Sequence, residues 1–78
     1  MLKECINRLE LIDYLIRIKG TGTPKQLAAR LNISDRSVFE YLNLMKDLGA
    51  PIKYSREKQS YYYEEDGLLQ LKFKKVSY

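Results

Sequence analysis

Arg36 and Glu40 stand four residues apart in the run Ser34-Asp35-Arg36-Ser37-Val38-Phe39-Glu40. A guanidinium presents a flat fork of donors, and a carboxylate presents acceptors only. On one helical face such a pair can read hydrogen-bonding edges: Arg36 by two parallel bonds to O6 and N7 of a guanine, Glu40 by accepting from N4 of a cytosine. Phe39, beside them, is suited to a thymine methyl group. The competing reading is a surface ion pair between Arg36 and Glu40, worth roughly 0.2–0.5 kcal/mol. A second group lies further on. Lys53, Arg56 and Lys58, set against Glu57, are the densest positive excess in the chain, and Gln59 adds a hydrogen-bonding amide. Cations there can neutralise phosphates, which gives affinity and little sequence information. The alternative is a charged turn that simply faces water.

Composition removes other chemistries. The chain has 78 residues, no His and one Cys, Cys5. An internal disulfide is impossible, a His/Cys zinc site nearly so, and the commonest general base is missing. There is no Gly-rich phosphate loop and no Ser-centred elbow. A core this small hardly frames a deep cleft, so no enzymatic activity and no cofactor are expected. Hydrophobic types make up 45% of the residues, enough for one compact core and one domain spanning residues 1–78. The net charge of +4 leans towards an anionic partner. No apolar run approaches the ~18 residues that cross a bilayer, and Leu2-Lys3-Glu4 does not open a secretory signal, so the expected address is the cytoplasm.

The elements that must position these residues follow from periodicity and punctuation. Residues 3–19 read as a helix, with Leu2, Cys5, Leu9, Ile12 and Ile16 on one stripe and Leu11, Tyr14, Leu15 and Ile18 on a second. Thr23-Pro24-Lys25-Gln26 combines an N-cap, a first-turn proline and a capping box; Leu27, Ala28 and Leu31 form the buried side of a short second helix that Asn32 ends. Ser34 caps a third helix to about residue 48. Val38, Leu42, Met45 and Leu48 are expected in the core, so Asp35, Arg36, Ser37, Phe39, Glu40 and Asn43 face outward or sideways. Gly49 and Pro51 stop this helix. Ile33 is expected to plug the turn between the two capped helices.

After Pro51 the period changes to two. Ile52 and Tyr54 alternate with Lys53 and Ser55, Arg56-Glu57-Lys58-Gln59 is a turn, and Ser60-Tyr61-Tyr62-Tyr63-Glu64 is a partner strand, which gives a hairpin with a basic tip over about 51–64. Tyr61 and Tyr63 are expected to pack on the helices rather than stack on bases, with Tyr62 partly exposed. Cys5 reads as a small buried hydrophobe. Leu69, Leu71 and Phe73 suggest a third strand.

Four pieces in order carry a resemblance: Gln26-Leu27-Ala28, Leu31-Asn32-Ile33-Ser34-Asp35-Arg36-Ser37-Val38, Leu48-Gly49-Ala50-Pro51-Ile52, and Ser60-Tyr61-Tyr62-Tyr63. Together they resemble the winged helix-turn-helix DNA-binding domain at the N-terminus of DeoR-like and WYL-type bacterial regulators, which is similar to that of the biotin-operon repressor. The chain departs where the family pattern has Arg-Asp and this sequence has Glu40-Tyr41. The resemblance implies an α+β fold, a three-helix bundle with a C-terminal β-hairpin wing and a possible extra strand. It also implies sequence-specific binding of double-stranded DNA by a transcriptional regulator without the usual sensor domain. In such a domain the third helix enters the major groove N-terminus first. The residues it implicates in DNA binding are Lys25, Ser34, Asp35, Arg36, Ser37, Phe39, Glu40, Asn43, Lys53, Arg56, Lys58 and Gln59. The backbone N–H groups at the helix N-termini, at Thr23 and Ser34, are expected to favour a phosphate oxygen, with Lys25 helping at the first; the bland reading is that Thr23 and Ser34 are caps only, and the two roles are compatible. Other readings are a winged-helix protein–protein module and an accessory DNA-binding protein of a mobile element.

The first helix carries more apolar surface than one side of a bundle can bury. Either Leu69, Leu71 and Phe73 fold back over it, or it meets a second copy of the chain. A homodimer through the first helix and the C-terminal segment is expected, because two-fold symmetry doubles a short recognition site.

Overall fold

The computed structural model describes the backbone of residues 2–67 and the side chains of residues 3–67. The third strand expected over Leu69, Leu71 and Phe73, and with it the C-terminal part of the expected dimer surface, lies outside the described residues. In chain order come α1 (Leu2–Arg17), α2 (Pro24–Leu31), α3 (Asp35–Asp47), β1 (Ile52–Ser55) and β2 (Ser60–Tyr63). Three helices followed by an antiparallel hairpin form the expected winged-helix α+β architecture.

All three helices stop in the same way. A residue just past the end takes the left-handed conformation: Lys19 at φ 55°, Asn32 at φ 56° and Gly49 at φ 100°. The next amide then reaches back five residues, Gly20 to Leu15, Ile33 to Ala28 and Ala50 to Met45, at 2.9–3.0 Å. This Schellman arrangement satisfies carbonyls that a helix end leaves free. Asn and Gly are the residues that tolerate such a φ, and both were legible as stops. Lys19 tolerates it less well, and the helix expected over residues 3–19 ends two residues earlier, at Arg17.

The N-termini are capped as their residue types require. Thr23 Oγ1 accepts from the Gln26 amide at 3.2 Å, and the Gln26 side chain accepts from the Thr23 amide at 2.8 Å. Gly22, at φ 74°, makes room for this box, because a Cβ there would meet Gln26 Oε1 at 2.6 Å. Ser34 caps α3 by accepting from the Ser37 amide at 3.1 Å.

The core takes Leu9, Ile12, Leu15 and Ile16 from α1, Leu27, Ala28 and Leu31 from α2, Val38, Leu42 and Met45 from α3, and Ile52 and Tyr61 from the hairpin. Cys5, Ile33 and Tyr63 pack against it only partly buried, so Cys5 is less enclosed than expected. Leu48 also departs from expectation. The 3.6-residue period carries it towards the core, but the helix ends at Asp47 and Leu48 is 52% exposed. On α1 the second stripe does not share the core. Leu15 is buried, whereas Leu11, Tyr14 and Ile18 are 41%, 57% and 55% exposed.

The hairpin pairs Ile52 with Tyr63, Lys53 with Tyr62, Tyr54 with Tyr61 and Ser55 with Ser60. Alternation turns Ile52, Tyr54, Tyr61 and Tyr63 towards the helices. The Tyr54 and Tyr61 rings meet edge to face, with centroids 4.9 Å apart. Lys53 is exposed on the other face, opposite Tyr62.

Candidate nucleic-acid interface

The outward face of α3 is built by subtraction. Val38, Leu42 and Met45 are at most 2% exposed and fix the helix rotation. Asp35, Arg36, Phe39, Glu40 and Asn43 are left facing solvent, with Ser37 partly covered. Arg36, Phe39 and Asn43 follow at spacings of three and four, which is one stripe, and Glu40 flanks it. Among the described residues Arg36 and Glu40 form no ion pair with each other, whereas Asp13 and Arg17, at the same i,i+4 spacing on α1, do, Nε to Oδ2 at 3.1 Å. The guanidinium at the start of α3 is therefore open to a ligand.

Ser34 is exposed, but its hydroxyl is committed to the helix end: besides capping α3 it donates to Ser37 Oγ at 3.1 Å. Lys25 is exposed in the first turn of α2. Lys53, Arg56, Lys58 and Gln59 are all exposed on the wing, and the Lys58 amide donates to Ser55 Oγ at 3.2 Å, which closes the turn. The structure thus gathers the α3 residues on one face and the four wing residues on one hairpin. Lys25 stands apart on α2.

The wing's orientation depends on residues that sequence reading passed over. Thr21, between α1 and α2, is 2% exposed and Ser60, opening β2, is 1% exposed. Tyr61 N–H donates to Thr21 Oγ1 at 2.9 Å, Thr21 N–H donates to Ser60 Oγ at 3.1 Å, and the two hydroxyl oxygens lie 3.0 Å apart. At the other end of β2 the Tyr63 hydroxyl donates to Asp13 Oδ1 at 2.6 Å. The Arg17 guanidinium sits 5.5 Å from the Tyr63 ring centroid and donates to the Gly67 carbonyl at 2.7 Å. Burial first, then the bond to Asp13, push the Tyr63 phenol well above its ordinary pKa, so it stays a neutral donor across the physiological range. One end of the strand is thereby fastened to the α1–α2 connection and the other to α1. The one sequence signal for this was the four-residue spacing of Asp13 and Arg17.

Among the described residues no group of three or more His, Cys, Asp or Glu side chains gathers in metal-binding geometry, and no helix is long and apolar enough to cross a membrane. The chain matches a family described as HTH domain over residues 7–63, from the first half of α1 to the last residue of β2. No curated protein and no solved structure matches it.

Proposed function

The chain belongs to the HTH domain family, a helix-turn-helix family of DNA-binding domains, and from that premise we propose that it is a sequence-specific binder of double-stranded DNA acting as a bacterial transcriptional regulator in the cytoplasm. In this reading α3 enters the major groove, with Arg36 on a guanine, Glu40 on a cytosine amine and Asn43 one turn further along. Lys25 and the wing residues Lys53, Arg56, Lys58 and Gln59 hold phosphates. Asp35, Ser34 and Ser37 start the helix at the groove. The observation that carries the reading is the exposed α3 stripe with an unpaired Arg36 at its N-terminal end. Selection from a random duplex pool, followed by a salt titration on the winning sequence, tests it. A preferred site and a steep salt slope are expected; a pool that yields no preference removes sequence-specific binding.

The wing carries its own prediction. Arg56→Ala and Lys58→Ala are each expected to weaken specific and random duplexes alike. Each should lower the slope of log K against log salt by about one unit, the contribution of one neutralised phosphate. A slope unchanged in both variants takes the wing out of the interface.

The same outward face carries Asp35, Glu40 and Asp47, all exposed. These acids favour a second reading, a winged-helix module that binds another protein. That reading is selected if no duplex binds even at low salt.

The other partner in the first reading is a second copy of the chain. Leu11 and Tyr14 on α1 and Ile18 just past its end form an exposed apolar stripe. An antiparallel pairing about a two-fold axis near Tyr14, at 1.5 Å rise per residue, sets Leu11 near Ile18 of the second copy. It also brings the exposed Glu10 nearly level with Arg17 of the second copy, so the flanking charges are complementary. Two-fold symmetry then matches half-sites about one helical turn apart. Sedimentation at micromolar concentration is expected to show twice the 9.2 kDa chain mass, and Tyr14→Asp is expected to return the protein to a single chain. A clean single-chain species from the unmodified protein removes the second copy.

A further inference from the structure

Among the described residues six large hydrophobic side chains are exposed, and five of them lie away from the interface stripe. Leu11 and Tyr14 share the outer flank of α1 with Ile18 just past its end, and Leu44 lies on a different flank of α3 with Leu48 just past that helix's end. Phe39 is the exception. It is 48% exposed, within the stripe that runs from Arg36 to Asn43. Asp35, Arg36, Glu40 and Asn43, all exposed, are its neighbours on the helix surface. A surface that docks protein by apolar burial needs neighbouring apolar groups, and among the described residues no other exposed large hydrophobic side chain shares this stripe. Its setting is that of a single apolar probe inside a polar recognition surface.

The major groove offers one kind of apolar target. Guanine, adenine and cytosine present only hydrogen-bonding atoms there, whereas thymine adds a C5-methyl group. We infer that Phe39 reads a 5-methylpyrimidine, thymine in ordinary DNA, and that this base lies within one or two base pairs of the guanine read by Arg36. The spacing follows from the helix. Three residues at 1.5 Å each put Phe39 about 4.5 Å beyond Arg36 along the axis, a little more than one base-pair rise. The inference rests on the DNA-binding reading and adds a base identity to it. It also carries a consequence. Cytosine at that position lacks the methyl, and 5-methylcytosine restores it, so methylation of a cytosine there would strengthen binding.

The test uses the full chain and the duplex recovered by selection. Each thymine of that duplex is replaced in turn by deoxyuridine, which removes the C5-methyl and nothing else. At one position per half-site the affinity is expected to fall about fourfold, the effect of losing one buried methyl-sized group. Phe39→Ala should bind the thymine and uridine duplexes equally, and Phe39→Leu, which keeps an apolar side chain, should retain part of the discrimination. At the same position 5-methylcytosine should bind better than cytosine. The exposure of Phe39 makes both variants expected to fold, and circular dichroism checks that they do. The inference is overturned if no thymine-to-uridine change lowers affinity, or if the loss persists undiminished in Phe39→Ala. A pool that yields no preferred duplex overturns the DNA-binding reading itself, an outcome distinct from either of those.

Discussion

Thr21→Val is expected to destabilise the domain by about 1–3 kcal/mol, the range for leaving a buried donor unsatisfied. The two side chains have nearly the same shape, so the change isolates the hydroxyl. In the native protein Thr21 Oγ1 is the acceptor for the Tyr61 amide and lies 3.0 Å from Ser60 Oγ. Valine would leave that amide without a partner at a site where Thr21 is 2% and Tyr61 7% exposed. In a domain of this size each kcal/mol moves the midpoint of thermal unfolding by about 4–8 °C. Thr21→Ser keeps the acceptor and loses only a methyl group, and it should recover part of the difference. A Thr21→Val midpoint within a degree of the parent would show that the hydroxyl network does not hold the wing.

Arg36→Ala is expected to cost about 1–3 kcal/mol on the selected site and to relax base preference at one or two positions. The guanidinium is exposed in the first turn of α3 and is not tied up by Glu40. Its forked donors suit the O6 and N7 pair of guanine, a geometry that an ammonium does not reproduce. Arg36→Lys should therefore keep most of the salt dependence and lose much of the preference. Competition binding against a panel of single-base variants reads both effects. A loss that is equal on every sequence would make Arg36 a phosphate contact.

These two substitutions divide the molecule by what each depends on. Arg36 was legible as an outward residue because Val38, Leu42 and Met45 recur at helical spacing and leave it on the other side. Phe39 and Asn43 were legible by the same logic. The wing cations stood out because Pro51 and the change to a two-residue period announced a hairpin with a basic turn. Thr21 gave no such signal. It sat in a Gly-Thr-Gly break, and the residues it bonds lie 39 and 40 positions away. The bond from Tyr63 to Asp13 spans 50 positions. No local pattern encodes contacts of that separation, since they exist only once the hairpin has folded onto α1.

Leu48 marks the same boundary from the other side. Its spacing from Met45 is that of a core residue, but periodicity assumes a continuing helix. The chain leaves the helix at Asp47, Gly49 takes φ 100°, and Leu48 turns out to solvent. The second apolar stripe of α1 was visible as an excess of apolar residues, and only packing decided that Leu15 goes in while Leu11, Tyr14 and Ile18 stay out.

The sequence by itself determined the helix starts at Thr23 and Ser34, the stops at Asn32 and Gly49, the rotation of α3 and the hairpin. Each of these is settled by residues within about one turn of helix or one strand pair, where hydrogen bonding and steric preference act locally. Tertiary structure alone decided how the wing is held and which apolar residues remain uncovered. Those outcomes depend on which buried donors find acceptors, and which faces find neighbours, once distant segments have come together.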